Sequence, residues 1–95
     1  VRLSDDGRGR ALAIQRGLTA VEHAVAQGQR SVAALEASLA AGITAAGGVI
    51  DYASIVDRAS LGPLSEIDRP ALAAVAAWFD GVRLIDNREL TPETR

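Results

Sequence analysis

The chain has 95 residues, a formal net charge of −2 and a hydrophobic share of 48%, much of it Ala. It is too apolar for a disordered tail and long enough for one domain over 1–95 with one modest core. It has no Cys, no Lys, no Met and one His, and its ten basic residues are all Arg. That removes disulfides, a thiol nucleophile, a Cys-based zinc site and any Schiff-base or phosphate-gripping lysine. The arginines are scattered, so no nucleic-acid footprint is expected. No apolar run is long enough to span a membrane, and no signal peptide is visible, so a cytoplasmic protein with no membrane partner is the expectation.

Leu3-Ser4-Asp5-Asp6 reads as a helix start. Ser4 can accept from an orphan N–H, and the two Asp residues suit the positive end of the helix dipole better than a cation site. Ala11, Ile14, Leu18, Val21 and Val25 follow at 3-4-3-4 spacing, one narrow stripe. Gly28 is a natural stop, so a helix is expected over 5–27, weakened locally by Gly7, Gly9 and Gly17. His23 lies opposite the stripe and reads as a solvated histidine. Leu12 sits near it on the polar side, either incidentally exposed or covered by another domain. Gly7-Arg8-Gly9 is not a phosphate loop, because no strand precedes it.

Ser31 can cap a second helix, expected over 31–43, whose Val32, Leu35, Leu39 and Ile43 share a face. The short link at Gly28-Gln29-Arg30 favours an antiparallel helix pair. Gly47-Gly48 ends the helical pattern, and the period changes. In 49–57, Ile50, Tyr52 and Val56 alternate with Asp51, Ile55 and Asp57, a strand of period two. Leu61-Gly62-Pro63-Leu64 is a turn, inside a loop over 59–70 with room for one short turn of helix.

Residues 72–79 are ambiguous, because their alanines favour helix on propensity alone. The next two residues decide for strand. Asp80-Gly81 between apolar runs is the usual two-residue hairpin loop, in which both residues need positive φ. That loop opposes Phe79 to Val82, Trp78 to Arg83, Ala77 to Leu84 and Ala76 to Ile85. One face then carries Val75, Ala77, Phe79, Val82 and Leu84 and reads as core. The other carries Ala74, Ala76, Trp78, Arg83, Ile85 and Asn87, with Arg83 placed for a cation–π contact with Trp78. Strands are expected over 72–79 and 82–88, and 91–95 as a polar tail. The order ααβββ predicts an α+β fold, two helices packed on one face of a three-stranded antiparallel sheet.

Gly81-x-Arg83-Leu84-Ile85-Asp86-Asn87 resembles the end of the pantothenate synthetase (pantoate–β-alanine ligase) family. Val1-Arg2-Leu3-Ser4, Arg8 with Ala11 to Leu18, Val49-Ile50-Asp51-Tyr52 and Leu61-Gly62-Pro63 resemble its smaller C-terminal domain in the same order. The chain departs from the pattern at Gly7, where the family tends to carry Glu, and at Trp78-Phe79.

The resemblance implies that the chain is a fragment of a longer enzyme. That enzyme would join pantoate to β-alanine through pantoyl adenylate, with ATP and Mg²⁺ as cofactors of the parent and none in this piece. It implies an N-terminal catalytic, nucleotide-binding domain as partner, a homodimeric parent, and a lid role for this chain. No catalytic residue and no metal ligand are expected here. Arg2, Arg83, Asp86 and Asn87 are the residues expected to face substrate or the neighbouring domain. Asp86 and Asn87 also read as strand-ending residues bound to nearby backbone. The alternative is an unrelated small binding or dimerisation module.

Overall fold

The computed structural model describes residues 5–92, with backbone alone at 5–8, 10 and 11. Arg2, the Ser4 cap and the end of the polar tail lie outside the described residues. The elements are α1 (Asp5–Ala26), α2 (Val32–Ala45), β1 (Val49–Asp57), β2 (Ala71–Phe79) and β3 (Val82–Leu90). The strands form one antiparallel sheet in the order β1-β2-β3. The expected ααβββ sandwich is the fold observed.

Both helices end for the same physical reason. Gly28 and Gly47 take positive φ, at 107° and 95°. The chain then turns back so that Gln29 N–H reaches the Ala24 carbonyl and Gly48 N–H the Ile43 carbonyl. These bonds, with the shorter ones from Gly28 to Val25 and Gly47 to Thr44, are the Schellman pattern. The Arg30 guanidinium gives the Val25 carbonyl a second donor, at 2.7 Å. Ser31 caps α2 by accepting from Ala34 N–H at 3.2 Å.

The helix stripes fill the core. Ile14, Leu18, Val21 and Val25 of α1 and Val32, Leu35, Leu39 and Ile43 of α2 are all buried. Opposite them the central strand offers Ala71, Ala73, Val75, Ala77 and Phe79, also buried. Bulk comes from the helices, and small side chains on β2 let the helices lie close. Leu84 packs against this cluster from β3, while Val82 is half-buried beside the turn. Ala71–Phe79 is strand despite its propensity, since every residue pairs with β3 and most pair with β1. β3 runs two residues beyond expectation, because Leu90 pairs with Ala71 and is buried.

One expectation is corrected. Strict alternation put Ile50 and Tyr52 on one face. The register between β1 and β2 slips between them, leaving Asp51 as an extra residue. The bulge sends Ile50 to the core side and Tyr52 to the outer face. The loop over 58–70 opens with a single helical turn, closed by the Leu61 N–H to the Asp57 carbonyl at 2.7 Å. Isolated bridges tie the rest down, Pro63 to Val56 and Glu66 to Ser31. Ile67, fully buried, anchors it through its N–H to the Arg30 carbonyl.

Candidate functional site

The turn that builds the site is the one between β2 and β3. Asp80 and Gly81 have φ of 51° and 77°, the sign required at both central positions of a type I′ turn. Phe79 therefore faces Val82, Trp78 faces Arg83, and Ala76 faces Ile85. Together with the β1 register, this puts Val49, Tyr52, Ser54, Ala76, Trp78, Arg83, Ile85 and Asn87 on the side away from the helices.

That outer face is apolar at one end. Val49, Tyr52, Trp78 and Ile85 keep 65%, 37%, 43% and 58% of their surface exposed. Ala76 lies among them, flanked by Tyr52 and Ile85, yet is fully buried. It does not belong to the helix-side cluster. Its cover is the outer side chains themselves, a thin second layer of packing.

Arg83 crosses this layer. Its Nε and Nη2 approach Asp51 Oδ2 at 3.0 and 2.8 Å. Asp51 is on β1 and Arg83 on β3, roughly 9–10 Å apart at two strand spacings, so the side chain must span β2. The guanidinium is committed to Asp51, and the described contacts include no cation–π pairing with Trp78. Residue spacing gave no sign of Asp51 as partner, because its position depends on the bulge.

The other expected site residues separate. Asn87 shares the outer face with Arg83, opposite Ala74. Asp86 pairs with Val75, so it sits on the helix side at the sheet edge, and its carboxylate accepts the Asn87 N–H at 2.8 Å. Arg88, also helix-side, was not singled out in the sequence. It reaches Thr19 Oγ1 at 3.2 Å and Glu22 Oε1 at 3.1 Å and ties α1 to β3.

The perturbed acids lie in the 58–70 loop and at its start. Asp57 Oδ1 accepts from Ala59 N–H at 2.8 Å and Ser60 N–H at 3.2 Å. These bonds, aided by Arg69, hold its carboxyl below its ordinary value. Arg69 likewise lowers Asp68 through a 2.9 Å bond. Both shifts come from loop-closing contacts and carry no catalytic signature. Among the described residues no group of three His, Cys, Asp or Glu is placed to hold a metal ion, and no helix is long and apolar enough to cross a membrane. His23 and Leu12 are exposed on α1, beside Arg16 and Thr19 on an open surface. A shallow groove of about 350 Å³ runs between the helices over Ala13, Gly17, Ser38 and Gly42.

A two-helix layer on a three-stranded antiparallel sheet defines a small α+β domain. The family model for pantoate–β-alanine ligase matches residues 1–89. The chain is 42% identical over 90 residues to a pantoate–β-alanine ligase of Arabidopsis thaliana, covering 95% of this chain and 29% of that protein. It is 47% identical over 88 residues to a pantothenate synthetase of Rhodopirellula baltica, covering 93% and 31%. The crystal structure of pantothenate synthetase from Thermus thermophilus superposes with a TM-score of 0.84 at 34% identity, over 95% of this chain and 33% of that one. The chain belongs to the pantoate–β-alanine ligase family. It spans about one third of the length of these relatives.

Proposed function

We propose that this chain is the C-terminal lid domain of a cytoplasmic pantoate–β-alanine ligase and is not catalytic by itself. The observation that carries the reading is the match over residues 1–89 to a family whose members are about three times as long. Family membership sets aside the alternative of an unrelated binding or dimerisation module.

In this reading the parent, a homodimer, uses ATP and Mg²⁺ to form pantoyl adenylate and then transfers the acyl group to β-alanine. An acyl adenylate is lost to water unless the site is closed over it, and closure is what a lid supplies. ATP and Mg²⁺ belong to the remainder of the parent. Among the described residues, no cluster of free cationic side chains stands ready for a triphosphate. There is no Lys. Arg58, Arg69, Arg83 and Arg88 are each paired with a carboxylate, and Arg30 is spent on backbone carbonyls. The contribution of this chain is a stiff slab that moves as a unit, with Arg2, Arg83, Asp86 and Asn87 as the residues proposed to meet substrate or the catalytic domain.

The test is to assay the parent enzyme, a truncation ending before Val1, and this chain separately. The expected result is no pantothenate from the chain alone. The truncated enzyme should turn over more slowly and release more AMP per pantothenate formed, as intermediate leaks to hydrolysis. ATP turnover by the isolated chain would refute the reading, as would a folded truncation with full rate and no added leak.

A further inference from the structure

The sheet has two edges, and they are protected in different ways. The Phe79–Val82 pair closes a two-residue hairpin, so residues 71, 73, 75, 77 and 79 direct their backbone groups toward β3. The alternate residues of β2 bond β1, and their partners there are Val49, Tyr52, Ser54 and Val56. Ala53, Ile55 and Asp57 therefore point their N–H and C=O groups off the open side of β1.

Such an edge invites another strand, and the sequence of β1 sharpens the hazard. Between Asp51 and Asp57 it runs Tyr52-Ala53-Ser54-Ile55-Val56, uncharged, rich in β-formers and free of Pro and Gly. An identical strand can pair with it about a two-fold axis, the commonest symmetry of homodimers. The added strand would also extend the apolar outer face at Val49 and Tyr52. β3 differs. It carries Arg83, Asp86, Arg88 and Glu89, and charges along an edge strand discourage pairing.

The loop, whose Pro63 bridges Val56, and one side chain cover β1. The Asp57 N–H is taken by the Gly62 carbonyl at 2.9 Å, where the loop folds back. The Ile55 N–H is taken by Glu36 Oε2 at 2.8 Å, reaching down from α2. Glu36 is half-buried, and a carboxylate is a stronger acceptor than a neutral carbonyl. We propose that Glu36 is an edge seal, whose carboxylate fills the outward N–H of Ile55 and prevents β1 from pairing with β1 of a second copy of this chain.

The experiment compares wild type, Glu36→Ala, and Glu36→Ala combined with Ser54→Lys, by sedimentation over a rising concentration series and by amide exchange at Ile55. Ser54 faces outward on β1, and a lysine there blocks strand addition without replacing the lost bond. Glu36→Ala should exchange the Ile55 amide roughly tenfold faster or more and associate at concentrations where wild type does not. Adding Ser54→Lys should abolish the association and leave the fast exchange. If Glu36→Ala does not fold, Glu36→Asp, one methylene too short to reach, makes the same comparison. A folded variant that exchanges Ile55 and sediments like wild type would overturn the proposal, as would association that Ser54→Lys does not suppress.

Discussion

Strand β2 offers Ala71, Ala73, Val75, Ala77 and Phe79 to the helices, and Leu72, Ala74, Ala76 and Trp78 to the other side. The two faces contain similar residues, several alanines and one aromatic at the turn end. Their physics differs. Phe79 is 1% exposed within the helix-side core, whereas Trp78 keeps 43% of its surface in water. Alanine on the inner face is what allows Leu18, Leu39 and Ile43 to approach. Alanine on the outer face leaves a hollow that Tyr52, Ile85 and Trp78 close among themselves. Burial therefore depends less on the strand's own residues than on what stands opposite them.

The contrast between the faces breaks most easily at Phe79. Phe79→Ala should cost about 3–5 kcal/mol, read as a lowered urea midpoint with unchanged slope. A loss near zero would mean that the inner face is not the core. Gly48 tests the same contact from the opposite sense. A Cβ there would lie 2.6 Å from Phe79 Cζ and 2.7 Å from Ile43 Cγ2. Overpacking by Gly48→Ala should cost about 1–3 kcal/mol, and a stabilised variant would show that the core has room to spare there. Trp78→Ala should cost about 1 kcal/mol or less, the scale of substitutions outside a packed core. If it proves as damaging as Phe79→Ala, the outer face is a second core, and thermal melts of the two variants side by side decide that.

Much of the fold was legible in the residues. The 3-4 spacing in both helices named eight buried side chains, and Asp80-Gly81 set the turn and with it every β2–β3 pair. What was not legible has one physical source, contacts made across long sequence separations. The bulge at Asp51 depends on how β1 seats on β2, and it reversed the relation of Ile50 to Tyr52. The Asp51–Arg83 pair follows from that bulge, so no reading of either segment alone reaches it. Glu36 and Arg88 looked like ordinary surface charges, because their partners, Ile55 and Glu22, are set by packing. Of the residues expected to face substrate or the neighbouring domain, Arg83 and Asn87 lie on the sheet face away from the helices. Asp86 follows strand parity to the helix side, and its nearest bond is to the backbone beside it.

The type I′ turn has a consequence for the order of assembly. β2 and β3 can zip from Phe79–Val82 outward with almost no chain to gather, whereas β1 finds β2 only after residues 58–70 have closed into a loop. The turn between α1 and α2 is also short. Two local hairpins should then form the folding nucleus, with β1 added late. Leu84→Ala should slow refolding, while Ile67→Val, in the loop, should chiefly hasten unfolding. Stopped-flow chevrons of the two variants would show it, and a refolding limb slowed in equal proportion by both would place β1 and its loop in the nucleus as well.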